Sequence, residues 1–193
     1  MFSQLFFYTF CKRWFDLTFS FLGIVFLFPL LLLFLLLRLV LPNVFGFFSQ
    51  PRVGQYGKLF SLHKLRTIHP ETNAISPFGA FLRRSKWDEL PQLWNILKGE
   101  MSFVGPRPDI PGYYDRLEGE ERKLLELKPG LTCEASIKYA NEETLLAKHK
   151  DPLHFNDTII FPDKIQMNLE YYYKRSFFGD IKILWKTVFG TKK

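Results

Sequence analysis

The sequence predicts a mixed α/β membrane protein, in which an apolar N-terminal helix leads into a small globular domain with amphipathic helices at the interface. Three observations carry this. Residues 17–37, LTFSFLGIVFLFPLLLLFLLL, hold no charge between Asp16 and Arg38. A partly alternating stretch, LFSLHKLRTI at 59–68, has the pattern of a strand. Leu90, Leu93, Trp94 and Leu97 recur at the i, i+3, i+4, i+7 spacing of an amphipathic helix.

About 20 apolar residues suffice to cross roughly 30 Å of hydrocarbon, so one spanning helix is a direct reading of residues 17–37. The run is too long for a signal-peptide core and is followed by Arg38 instead of a small-residue cleavage site, so it is expected to stay in the mature protein. The pair Phe28-Pro29 points to a re-entrant helix instead. Proline removes a backbone N–H and disfavours helix at the residue before it. The halves 16–28 and 29–41 are each only about 20 Å long, too short to cross. Lys12 and Arg13 precede the run and a basic remainder follows, so both flanks favour the cytoplasmic side. Spanning helices also tolerate proline, and both readings stand at this point. The expected division is a membrane helix with its flank over 1–42 and a globular domain over 43–193.

Lys and Arg outnumber Asp and Glu by 26 to 19, a net +7 that favours anionic partners. Phosphorylated substrates and anionic lipid fit; nucleic acid is not expected, because no nucleic-acid motif accompanies the charge. The two cysteines, Cys11 and Cys133, lie far apart without CxxC spacing, which suggests neither a disulfide framework nor a zinc site and fits a reducing, cytosol-facing location. His63, His69, His149 and His154 form no ligand pattern, and the usual nucleotide-binding and nucleophile-elbow fingerprints are absent.

On a strand over 59–68, Lys64 and Arg66 share one face, either as solvated charges or as a pair of cations aimed at a phosphate. Ser76-Pro77 opens a helix that is expected to carry Phe78, Phe81 and Leu82 inward and Arg83 and Arg84 elsewhere. The next helix closes at Gly99, and Pro91 pins its start close to WDELPQ at 87–92. Ser85, Asp88 and Glu89 are therefore expected at one helix N-terminus, where acidic residues commonly act only as caps. Adjacent helical residues point about 100° apart, so Asp88 and Glu89 are expected to do different jobs. In GEMSFVGPRPDIPG at 99–112, three prolines stiffen a turn and hold Arg107, a guanidinium suited to bidentate phosphate binding or simply exposed on a loop. The C-terminal DIKILWKTVFGTKK sets Ile181, Leu184, Trp185, Val188 and Phe189 against Lys182, Lys186, Lys192 and Lys193, a pattern for a helix on an anionic membrane or over the core.

The series KRWFDL, a proline-broken apolar segment, HKLRT, RRSKWDELPQLWNILKGEMSFVGPRP and KPGLT resembles the small monotopic phosphoglycosyl transferases of the bacterial sugar transferase family, in the family's order over nearly the whole chain. The resemblance implies transfer of a phosphosugar from a UDP-sugar to polyprenyl (undecaprenyl) phosphate with release of UMP, initiating surface polysaccharide or glycoprotein glycan assembly. It also implies Mg2+ as cofactor and a re-entrant helix on the cytosolic face of the bacterial inner membrane. Asp88 matches the nucleophile that forms a covalent phosphosugar intermediate, expected to be kept anionic by a helix N-terminus and nearby cations. Glu89 matches its partner at the metal or in orienting the nucleophile. Lys64, Arg83 and Arg107 match phosphate-binding positions, with Arg66 beside them. Homo-oligomerisation is left open, and the small members of the family imply an N-acetylated hexose as the sugar. A catalytically silent, membrane-tethered adaptor is the alternative, disfavoured because an adaptor needs no such constellation. Three departures stand out: Phe28-Pro29 where the family often has Ser-Pro, Cys133 to Ile137 in place of a GWAQV pattern, and Asn168 at a commonly acidic position.

Overall fold

A computed structural model of the chain describes residues 2–40 and 46–190. The expected domain boundary near Pro42 and the C-terminal Lys192 and Lys193 lie outside them. The first helix, α1 (Phe2–Val40), continues through Pro29. Phe28 and Pro29 both lie on its exposed side, away from the rest of the protein. The stretches on either side of Pro29 belong to one helical element.

The side of α1 that packs is legible in the spacing of its contacts. Tyr8, Asp16, Ser20 and Phe34 are buried, and Ile24, Leu27 and Leu30 pack against buried residues of the domain. Intervals of three and four keep these residues on one stripe for about 40 Å of helix. The opposite side exposes Phe6, Phe7, Phe10, Trp14, Phe21, Phe26 and Phe28. Such an apolar outer face requires lipid or protein cover. The helix satisfies the length and composition required to cross a bilayer.

After α1, β1 (Phe47–Val53) pairs antiparallel with β2 (Leu59–Leu65), in the register Phe47 opposite Leu65. The predicted strand over 59–68 therefore ends three residues early; Ile68 makes only an isolated bridge to Ile75. Ser76 Oγ accepts from Gly79 N at 3.0 Å and opens α2 (Pro77–Ser85), as the Ser-Pro pair predicts. Gly79 is required there, since a Cβ would come within 2.4 Å of Thr67 O. Of the three residues expected inward on α2, only Leu82 is buried; Phe78 and Phe81 are exposed. The following α3 (Gln92–Lys98) ends at Gly99 in the left-handed region, φ 87°. It buries Leu93 and Ile96 and leaves Trp94 exposed, so its inner stripe is rotated from the predicted one, with Gln92 and Asn95 inside.

Strand β3 (Ser102–Val104) pairs in parallel with β4 (Gly130–Thr132). Short helices α4 (Glu134–Lys138), α5 (Glu142–Leu146) and α6 (Pro152–Phe155) lead to α7 (Phe161–Lys174) and α8 (Phe177–Phe189). In α8, Asp180 and Ile183 turn inward while Phe178, Trp185, Val188 and Phe189 stay exposed. That helix therefore covers the core with one side, as one of its two readings expects, and leaves an apolar side open.

Among the described residues, two of three hydrophobic clusters include α1. Leu62, Leu93, Ile96 and Met101 pack with Ile24 and Leu27; Leu65 and Leu82 pack with Phe34 and Leu30. The third, around Val53, Tyr114, Leu124 and Ile165, lies away from it.

Candidate active site

A reversal of the chain between α2 and α3 builds the acidic pair. Lys86 takes a left-handed conformation, φ 61°, and its N–H bonds back to Arg83 O. A non-glycine residue held there stores about 1 kcal/mol or more of backbone strain, a cost that functional sites tolerate. The next residues, Trp87–Glu89, form one 3-10 turn that faces β2. Asp88 and Glu89 are both buried.

Their surroundings differ. Glu89 Oε1 accepts from Arg107 Nη2 at 2.5 Å and from Lys64 Nζ at 3.2 Å. Burial opposes its ionisation, but Arg107 and then Lys64 override that penalty and bring the carboxyl down to about 2. Asp88 has no such partner: its Oδ1 is buried without a hydrogen bond. Burial first, and the neighbouring Glu89 charge second, push its pKa above the ordinary carboxylate value against the pull of Lys64 and Lys86. Lys64 and Lys86 thus favour the Asp88 anion as expected, but burial and the Glu89 charge outweigh them. Nor does Asp88 cap α3, whose N-cap is Pro91 and carries no side-chain cap. Ser85 also sits elsewhere, at the end of α2, donating to Phe81 O at 2.8 Å.

The four predicted phosphate-binding cations divide. Lys64 and Arg107 meet at Glu89. Arg66 lies one residue beyond β2, where its N–H donates to Gly46 O at 2.7 Å, and its guanidinium rests 3.8 Å from where a Cβ on Gly46 would project. Arg83 donates to Glu143 Oε1 of α5 at 2.7 Å. No hydrogen bond or ion pair in the described structure joins Arg66 or Arg83 to the acidic pair.

Residues that the sequence reading passed over hold the site in place. Asn95 is fully buried and donates to Ser61 O and Glu100 Oε2 while accepting from His63 N, tying α3 to the strand that carries Lys64. Asp16 accepts from Phe103 N at 3.0 Å and Ser102 Oγ at 3.2 Å, fixing β3, which runs directly into the Arg107 turn. Arg13 donates to the carbonyls of Ile96 and Leu97 at the end of α3, and Lys12 pairs with buried Asp180. Lys12 and Arg13, read as topology signals, are thus docking residues as well. The only sequence signal for Asp16 is a carboxylate at the edge of an apolar run. Asn168 donates to Tyr114 OH at 2.9 Å in the core, and Cys133 Sγ accepts from Ser136 N at the start of α4.

Among the described residues no group of three or more His, Cys, Asp or Glu converges as a metal cage. Mg2+ needs no such cage, since it commonly takes one or two carboxylates and completes six positions with waters and substrate phosphates. An orphaned Asp88 oxygen beside Glu89 fits that chemistry.

The profile of the bacterial sugar transferase family matches residues 7–193. The chain is 36% identical over 137 residues to a Bacillus subtilis (strain 168) protein that carries the provisional name undecaprenyl-phosphate N-acetylgalactosaminyl 1-phosphate transferase, covering 58% of this chain and 76% of that one. An uncharacterised sugar transferase of the same strain is 34% identical over 152 residues, 74% of this chain and 67% of its own. The undecaprenyl-phosphate glucose phosphotransferase of Komagataeibacter xylinus is 32% identical over 196 residues, 92% of this chain but 35% of its own greater length. With a match that takes in both the acidic pair and its cations, the chain belongs to the bacterial sugar transferase family.

Proposed function

We propose that the protein transfers a sugar 1-phosphate from a UDP-sugar to polyprenyl phosphate. The observation that carries this reading is the division of roles at the acidic pair: Glu89 takes the cations, and Asp88 keeps an unpartnered, buried oxygen. A carboxylate short of hydrogen bonds is a stronger nucleophile than one already satisfied. Asp88 attacks the β-phosphorus of the UDP-sugar, the bond to the bridging oxygen breaks, and UMP leaves with the electron pair. A phosphate oxygen of the acceptor then attacks the same phosphorus and returns Asp88 as a carboxylate. Glu89 keeps Arg107 and Lys64 beside the reacting phosphates, where charge neutralisation and positioning dominate the rate. Asp88 and Glu89 hold Mg2+, which supplies neutralisation of pyrophosphate charge.

The relative covered over 76% of its length is named for N-acetylgalactosaminyl transfer, which supports an N-acetylated hexose in the donor. Names of the longer relatives include glucose and galactose transfer, so a panel of UDP-sugars discriminates among them. We also place α1 in one leaflet on the cytosolic side of the membrane. Its packed stripe runs from Tyr8 to Phe34 against a domain bearing buried carboxylates, and a bilayer-spanning α1 would draw that domain into hydrocarbon.

Purified protein given a UDP-sugar, Mg2+ and polyprenyl phosphate should release UMP and form a lipid-linked pyrophosphoryl sugar. Absence of UMP across a broad panel of UDP-sugars would contradict the proposal.

A further inference from the structure

A line of aromatic rings crosses the surface between α1 and the acidic pair. Phe34 of α1 lies 6.2 Å from Phe78, Phe78 lies 6.3 Å from Phe81, and Phe81 lies 5.9 Å from Trp87, the residue before Asp88. Phe78 and Phe81 occupy positions i and i+3 of α2, so they share one side of it. Leu82 and Gly79 are the buried residues of that helix, while Phe78, Phe81 and the following Trp87 are 38%, 44% and 41% exposed. Beside these ring contacts each of the three keeps open apolar surface.

One end of the line meets α1 at buried Phe34, beside which Leu32, Leu33 and Leu36 of the same helix are exposed. The other lies at Trp87, next in the chain to Asp88, whose Oδ1 is the orphaned oxygen. We infer that Phe78, Phe81 and Trp87 form the track on which the first isoprene units of the polyprenyl phosphate lie while its phosphate reaches Asp88. This rests on the reaction proposed above. The acceptor must bring a charged head to a buried carboxylate without drawing its tail into water, which costs about 0.8 kcal/mol for each exposed methylene. An aromatic surface continuous with lipid removes that cost, and flat, unsaturated isoprene units lie well on ring faces. A uracil ring stacked on Trp87 is the competing use. It needs one platform beside the site and gives no reason for rings that lead back to α1.

The test uses full-length protein in lipid nanodiscs. A polyprenyl phosphate with a diazirine on its first isoprene units is photolysed with the wild-type protein, and labelled peptides are identified by mass spectrometry. Label should fall within 77–87 and drop by about fivefold or more in Phe81→Ala/Trp87→Ala. Steady-state kinetics of that variant should show the acceptor KM raised about tenfold, with the UDP-sugar KM moved less than about twofold. Phe81→Leu/Trp87→Phe should recover most of the acceptor affinity. Label concentrated elsewhere, a rise in the UDP-sugar KM instead, or no recovery by the apolar variant would each overturn the inference. The photolabel reads acceptor binding without turnover, so an inactive wild type that still labels 77–87 contradicts the proposed reaction and leaves the track standing.

Discussion

Arg107 Nη2 lies 2.5 Å from Glu89 Oε1 and makes no hydrogen bond to Asp88. A proline-flanked loop thus delivers its guanidinium to Glu89 and not to its neighbour. In the reaction proposed above, this division separates the positioning of charge from nucleophilic attack, although the two acids are neighbours in sequence.

Replacing Asp88 with Asn should abolish turnover and stabilise the fold. The native side chain is a buried carboxylate with a bare oxygen beside a second negative charge. An amide removes the charge repulsion at nearly constant size, for a gain of about 1 kcal/mol. Thermal unfolding of the two proteins at neutral pH checks this, and a clearly lower melting temperature for Asp88→Asn would contradict it.

The opposite sign is expected at Glu89. Glu89→Gln leaves Lys64 and Arg107 with only a neutral acceptor, which should destabilise by about 2 kcal/mol and reduce turnover at least about tenfold. Arg107→Lys keeps the charge but loses the planar fork, and it should also lower kcat. Wild-type kinetics in Arg107→Lys would show that bare charge is sufficient.

Acid should act on the two carboxyls in different windows. The raised pKa of Asp88 means that the nucleophile protonates, and UMP release falls, before an ordinary aspartate would titrate. Glu89 has its folded pKa lowered from 4.5 to about 2. Its contribution to stability is therefore present above 4.5 and lost as pH falls towards 2. Single-turnover UMP release and unfolding midpoints, measured across acidic pH, should show activity lost at higher pH than this part of the stability.

The sequence makes the acidic pair, its two working cations and the apolar helix legible because each has a local signature: adjacent charges, a proline-stiffened loop, an uninterrupted hydrophobic run. The rest depends on contacts between distant segments. Phe78 and Phe81 have the spacing of core residues, and nothing local says that α2 buries Leu82 and Gly79 instead. Arg83 and Arg66 fall in matching motif positions, but α5 and Gly46, far away in the chain, stand next to them. Asp16 reads as the edge of a membrane segment until β3 is folded against it.

That contact yields a further expectation. Asp16→Ala strips Phe103 N and Ser102 Oγ of their acceptor at the base of the Arg107 loop, and should cost about 2 kcal/mol of stability. Asp16→Asn keeps an acceptor oxygen and should recover much of it. Equal losses in the two variants, by chemical denaturation in detergent, would locate the effect in the charge of Asp16 instead.

For α1 in one leaflet, both of its ends face the cytosol. With Cys11 and Cys133 replaced by Ser, cysteines placed singly at Phe6 and Lys174 should both resist an impermeant thiol reagent added to intact cells and react after lysis. Labelling of Phe6→Cys from outside would establish a spanning helix.

The covalent step is the centre of the account, and intact-protein mass spectrometry reads it most directly. Enzyme incubated with UDP-sugar and Mg2+ in the absence of polyprenyl phosphate should release UMP and gain the mass of one phosphosugar, mapped to Asp88 by peptide analysis and absent from Asp88→Asn. Turnover by wild-type protein that never carries the adduct, or undiminished turnover by an Asp88→Asn preparation free of deamidated protein, would contradict it.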